Sequence, residues 1–217
     1  MADGLPFAIA FLKESWWLLP LLFLLPFLRW LASHPRLKGA LGERRVRRKT
    51  ARTLDSSVYR VFEDLVLDDE KGLTQIDHVY VSVYGVFALE TKNMGGWIFG
   101  GERQREWTQV FPKVKRRFQN PLHQNYRHQK ALERMLGLSA GQVHSVVVFA
   151  GNAQFKTNMP AQVCYLDDYA DYILSFSQQV LSEQECLVIC ERLSRLSQAG
   201  RTRKDAHRKS LRSRYGV

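Results

Sequence analysis

The segment Gln75-Ile76-Asp77-His78-Val79 and, thirteen residues after Asp77, Glu90-Thr91-Lys92 carry two carboxylates and an amine at spacings a β-hairpin can bring together. With Tyr84-Gly85 at the centre of a tight turn and Val83 opposite Val86, Asp77 falls opposite Lys92 and Val79 opposite Glu90. Alternate residues of a strand share a face, as do cross-strand partners, so Asp77, Glu90 and Lys92 then lie together within roughly 5–8 Å. A three-residue loop would reverse the parity and scatter them; a four-residue loop keeps it. Clustered carboxylate oxygens suit Mg²⁺ or Mn²⁺, hard cations that keep several waters and accept phosphate oxygens. Such a cation polarises a phosphodiester and lowers the pKa of an attacking water. Lys92 would orient that water or stabilise charge developing on the phosphorane. The same spacing also fits a plain Asp–Lys salt bridge at a hairpin end.

The elements that must position these residues follow from pattern. Val58 to Leu67, Thr74 to Val83 and Val86 to Lys92 read as strands, with a turn at 68–72. Trp97 to Phe99 and Glu106 to Phe111 read as a further short pair. Asn120-Pro121 opens a helix to Leu136 that Gly137 ends. Val143 to Ala150 is a nearly continuous apolar run of the kind found in the middle of a sheet, and Gln162 to Leu166 reads as another strand. Asp167 or Asp168 caps a helix to Phe176, and Ser182 with Glu185 forms a capping box for a helix to Leu196. Gly39 to Leu54 is helical in pattern and strongly basic, with Glu43 the lone acid in that run. These elements make an α/β domain over 36–200, a mixed central sheet flanked by helices.

The 217 residues are 45% hydrophobic and 24% charged, which excludes collagen-like and wholly disordered chains. A formal charge of +11 favours a polyanionic partner, either nucleic acid or an anionic membrane face. Three cysteines build no disulfide framework, and their odd count points to a reducing compartment. Cys186 and Cys190 share a helical face without further ligands nearby in sequence, and read as small apolar residues.

Residues 16–28, WWLLPLLFLLPFL, are uncharged and follow a shorter apolar stretch, Leu5 to Leu12. Trp16 to Trp30 would span roughly 22 Å as helix against about 30 Å of hydrocarbon, and extension to Phe7 takes in Lys13 and Glu14. Residues 1–35 are read as a membrane anchor, an N-terminal transmembrane helix with interfacial Trp residues. The many Lys and Arg between 29 and 52 follow the span, which places the body in the cytoplasm. Residues 201–217 read as a basic disordered tail.

Several separated motifs resemble one known family. The run from Gly72 to Asn93, of the form GxTQIDHVxVSxYGVFxxETKN, is followed by GWIFG at 96–100, Trp107 and NPLHQN at 120–125, with Gly42-Glu43-Arg44 upstream. In this order they resemble the nuclease-related domain, NERD, over about 40–135. That family is grouped with the PD-(D/E)xK nucleases. The resemblance therefore implies a restriction-endonuclease-like fold, DNA more than RNA as substrate, Asp77 and Glu90 as metal ligands, and Lys92 as catalytic lysine. It further implies Glu43 as a helix-borne acid and Gln124 as a positioner of metal-bound water or phosphate. No organic cofactor is implied.

Lys113, Lys115, Arg116, Arg117 and Arg127 are read as a phosphate-binding margin, with a solvated face as the plain alternative. Trp97, Phe99 and Trp107 could stack on bases or cover a sheet edge. His78 points away from Asp77's face and reads as structural. The combined expectation is a membrane-anchored nuclease using Mg²⁺ or Mn²⁺. Two other readings stand beside it: a nucleic-acid-binding scaffold with a vestigial hairpin site, and a membrane-surface adaptor.

Overall fold

The computed structural model describes residues 35–69 and 72–198, together with Leu24 and Pro26; apart from Leu24, Pro26 and Pro35 the expected anchor over 1–35, and all of the basic tail over 201–217, lie outside these residues. Among the described residues no helix is long and apolar enough to cross a membrane. The chain divides into two compact units, 1–41 and 42–217. In the first, the described residues are Leu24, Pro26 and the opening of helix α1 (Pro35–Thr53).

In the second unit α1 buries Gly42, Val46 and Thr50, an i, i+4 stripe that Leu54 continues just past its end, while Arg44, Arg48 and Arg52 stay exposed. The narrow stripe packs on a five-stranded sheet of β1 (Arg60–Asp69), β2 (Gly72–Ser82), β3 (Gly85–Lys92), β7 (Val143–Phe149) and β9 (Val163–Tyr165), in the order β1-β2-β3-β7-β9. The first three strands are antiparallel neighbours, and β7 joins parallel to β3 and to β9. A second sheet contains β4 (Gly96–Phe99), β5 (Glu106–Phe111), β6 (Val114–Gln119) and β8 (Ala153–Phe155), ordered β6-β5-β4-β8. The mixed, helix-flanked architecture expected from sequence is present, but with two sheets. Strands β6 and β8 were not foreseen.

Alternation along β3 and β7 sorts the core into layers. Phe87, Leu89, Val146 and Val148 face α1 and the short helix α3 (Tyr169–Leu174). Val86, Ala88 and Val143 face helix α2 (Pro121–Leu136) and helix α4 over 183–198. Further along that same face, Val147 and Phe149 meet Ile98 and Trp107 of the second sheet. Cys186 and Cys190 pack against the apolar core beneath α4, as small apolar side chains do.

Helix α2 is held at several points. Asn120 caps it by accepting from Leu122 N–H at 2.9 Å, Pro121 opens it, and Gly137 closes it in the left-handed conformation. Within the helix the Asn125 amide is buried and donates to Ala88 O and Val146 O at 2.8 and 3.1 Å, tying α2 to β3 and β7. The capping box of α4 is formed, with Ser182 N–H and Oγ both donating to Glu185. Asp168 stands at the N-cap of α3 but makes no side-chain capping bond.

The two sheets are joined where β3 and β7 end. Ala150 N–H donates to Lys92 O at 3.0 Å, and a Cβ on Gly151 would lie 2.0 Å from Met94 O. Backbone cannot retreat as a flexible side chain does. Gly151→Ala is expected to cost about 2–3 kcal/mol and lower the melting temperature by roughly 5–10 °C in calorimetry. Gly141→Ala, with nothing within 4 Å of its Cβ, should leave it unchanged.

Candidate metal and catalytic site on the β2–β3 hairpin

The hairpin turn is Val83-Tyr84, with Ser82 paired to Gly85 and Val81 to Val86. It lies one residue earlier than the sequence suggested, because Gly85 uses its positive φ of 129° as the first residue of β3 rather than inside the turn. The register moves by two positions, so the parity of faces is preserved. Asp77 is consequently opposite Glu90, not Lys92, in the continuation of a ladder whose last pair is His78 with Leu89. The expected grouping on one face is correct, but the direct pairing is carboxylate with carboxylate.

Beyond that last pair the strands part. Thr91 N–H, turned toward β2, donates to Asp77 Oδ2 at 2.8 Å, so a side chain closes the bond the ladder leaves open. Lys92 Nζ donates to Glu90 Oε1 at 2.6 Å and to Gln124 Oε1 at 2.9 Å. Gln124 comes from the first turns of α2, which Asn120 and Asn125 hold in place. Glu43 enters from α1, where Gly42 packs so closely that a Cβ there would sit 2.7 Å from Asn93 Cβ and 3.3 Å from Thr91 Cγ2. Glycine at 42 thus lets the helix bring its single acid to the end of β3.

The electrostatics follow from this crowding. Burial, then the negative charge of Glu90, raises the Asp77 pKa to about 7; the Thr91 N–H and the Lys92 ammonium oppose the rise. Glu90, only 3% exposed, is also raised, first by burial, against the pull of Lys92 and Gln124. Glu43 is raised by burial and by the charges of Asp77, Asp64 and Glu63. Three acids of the expected set therefore feel one another across the parted strand end.

Two neighbours went unread in the sequence. His128 is buried, with Nδ1 3.7 Å from Glu90 Oε2. Asp64, on β1 at the position opposite Asp77 that the ladder skips, holds φ at 58°, a left-handed conformation that costs a non-glycine residue about 1–2 kcal/mol. The available signals were Glu63-Asp64 inside a strand otherwise rich in apolar residues, and His128 at helical spacing from Gln124. His78 does face away from Asp77. Its pKa is pushed down to about 4 by burial, but it is not fully satisfied, since Nδ1 lacks a hydrogen-bond partner.

The donor set fits a hard divalent cation. Glu90 Oε2 is buried and has no hydrogen-bond partner, and the opposed carboxylates carry charge that a cation would neutralise. No group of three or more His, Cys, Asp or Glu side chains among the described residues converges to hold a metal. One or two carboxylates completed by water and phosphate oxygens is the Mg²⁺ pattern rather than a closed protein cage.

The expected phosphate margin is dispersed. Lys113 lies in the β5–β6 turn, Lys115 and Arg117 project from one face of the edge strand β6, Arg116 from the other, and Arg127 lies on α2. Trp107 is fully buried and belongs to the core, while Trp97 and Phe99 are exposed.

Because Asp77 binds its proton more tightly in the folded state, its contribution to stability is complete below about pH 4 and is lost as the pH rises through about 7. Asp77→Asn keeps an acceptor for Thr91 N–H and removes the charge. In chelator at pH 8.5 it should stabilise the protein by on the order of 2 kcal/mol, or roughly 4–8 °C. The gain should vanish near pH 4 in thermal melts across that range.

Comparison with known proteins gives the chain a family. The family model described as nuclease-related domain matches residues 38–150. An uncharacterized protein of Bacillus anthracis is 33% identical over 186 residues, covering 83% of this chain and 87% of that protein. No solved structure gives a significant match. With the family model spanning more than half of the chain, and the hairpin acids, the lysine and Gln124 all inside it, the chain belongs to the nuclease-related domain family.

Proposed function

We propose that the protein is a metal-dependent nuclease that hydrolyses phosphodiester bonds of DNA, tethered to the membrane by its first 35 residues. The observation that carries this reading is the buried Asp77–Glu90 pair with Lys92 on the parted end of the hairpin, in a chain of the nuclease-related family. Asp77 and Glu90 would hold Mg²⁺ or Mn²⁺. A cation bound there supplies positive charge to a phosphodiester and acidifies the attacking water.

The protein's own groups supply the remainder. Lys92, fixed between Glu90 and Gln124, places a cation on a strand that cannot swing, beside the position where charge builds on the phosphate. Gln124 orients that ammonium through its Oε1 and also hydrogen-bonds Glu90, tying the lysine to the carboxylate beside it. Glu43, with its proton affinity raised, can hold or release a proton at the rim of the site. The apolar N-terminal segment followed by basic residues supports an anchor with the nuclease domain on the cytoplasmic side.

The test is cleavage of labelled single- and double-stranded DNA by the full-length protein with Mg²⁺ or Mn²⁺. Asp77→Ala and Lys92→Ala should each lower turnover by at least about 10²–10³-fold, with nucleic-acid binding nearly intact. Gln124→Ala should lower it by a smaller factor. Absence of cleavage across metals and substrates, or equal cleavage by the folded variants, would refute the catalytic reading.

A further inference from the structure

The second sheet presents an outer face with an unusual composition. On β4, Ile98 points inward and is fully buried, while its neighbours Trp97 and Phe99 point outward, 51% and 37% exposed. Pairing aligns two rows across this face. Trp97 is opposite Val110, which is opposite Lys115; Phe99 is opposite Thr108, which is opposite Arg117. Each row therefore sets an aromatic ring on β4 and a cation two strands away, about 9–10 Å across the sheet. On the other side Lys156, just beyond β8, places its ammonium 5.1 Å from the centre of the Trp97 ring. Glu106 lies on the same face, its Oε2 3.9 Å from Arg117 Nη1 with both side chains exposed.

We propose that this face is a binding platform for single-stranded nucleic acid, with bases on Trp97 and Phe99 and phosphates along Lys115 and Arg117. This names the substrate class of the nuclease and rests on the nucleic-acid part of that reading. The two rings are about 6.6 Å apart along the strand, twice the 3.4 Å step between bases stacked in a duplex. Bases inside a duplex expose no ring faces, so aromatics at this spacing meet only an extended, unstacked strand. Cations displaced from the rings across the sheet match a strand whose backbone runs beside its bases. The sheet is tied to the candidate site at both ends, since Trp97 follows Lys92 by five residues and β6 runs directly into the helix that bears Gln124. At most about 18 Å of chain separates Trp97 from the lysine.

The experiment is fluorescence anisotropy of labelled oligo-dT of about 12 nucleotides, within the size range of such platforms, with the full-length protein in chelator so that no turnover occurs. Trp97→Ala with Phe99→Ala should weaken binding at least about 10-fold, whereas Trp97→Phe, which keeps a ring, should stay close to wild type. Lys115→Ala with Arg117→Ala should weaken binding and lower the salt slope by about 1.4, two phosphates at about 0.7 each. A duplex of equal length should bind more weakly and ignore the loss of the rings. Oligo-dT binding indifferent to the aromatic substitutions in folded protein overturns the proposal. So does a loss confined to phosphatidylserine vesicles, which would make the face a membrane contact. Binding that depends on the rings without cleavage in Mg²⁺ would leave the platform standing and remove the catalytic reading; cleavage with ring-independent binding would do the reverse.

Discussion

Two carboxylates removed from water and set opposite each other at the end of a hairpin are the constraint around which this molecule is arranged. Burial alone disfavours both charges, and their mutual repulsion adds to it, which is why Asp77 keeps its proton to about pH 7. The fold offsets part of this cost with the Thr91 amide on Asp77 and the Lys92 ammonium on Glu90. It leaves Glu90 Oε2 without a hydrogen-bond partner. A buried carboxylate oxygen in that condition calls for an explanation such as a bound ion or a catalytic role.

The scaffold is built to hold that arrangement against its own repulsion. Strand β3 is the middle strand of the five, buried along its length until Glu90, so its last residues cannot move without disturbing both faces of the sheet. Helix α2 is pinned to β3 and β7 through Asn125, which fixes Gln124 and through it Lys92. Helix α1 reaches the same place because residue 42 has no side chain to stand in the way. At the far side Gly151 allows the loop after β3 to pass against the end of β7, and the second sheet is hung from that crossing. The site thus depends on three close approaches between backbone elements, two of them made by glycine.

Much of this was legible in the sequence, and the failures have physical causes. Period-two alternation made the shared face of Asp77, Glu90 and Lys92 readable, because parity survives a two-residue error in register. The register itself was misread because Tyr-Gly could be a turn centre, whereas the positive φ is used one position later, at Gly85. Strand β6 escaped notice because Lys115, Arg116 and Arg117 fill its middle, leaving Val114 and Phe118 at its ends as its apolar residues, with Phe118 the one partly buried. Strand β8 has three residues and exists through parallel pairing with β4, more than fifty positions earlier in the chain. Helix caps were the most readable features, since Asn120-Pro121, Gly137 and Ser182 with Glu185 act through local bonds. Asp64 and His128 reach the site only through tertiary packing.

The most direct measurement is titration of Mn²⁺ into the full-length protein, followed by the loss of the free-ion signal in electron paramagnetic resonance. Wild-type protein is expected to bind the ion and to lose that binding in Asp77→Asn and Glu90→Gln, with Mg²⁺ competing for the same position. Equal Mn²⁺ binding by wild type and both variants, or none by any of them, would contradict the role assigned to the carboxylate pair.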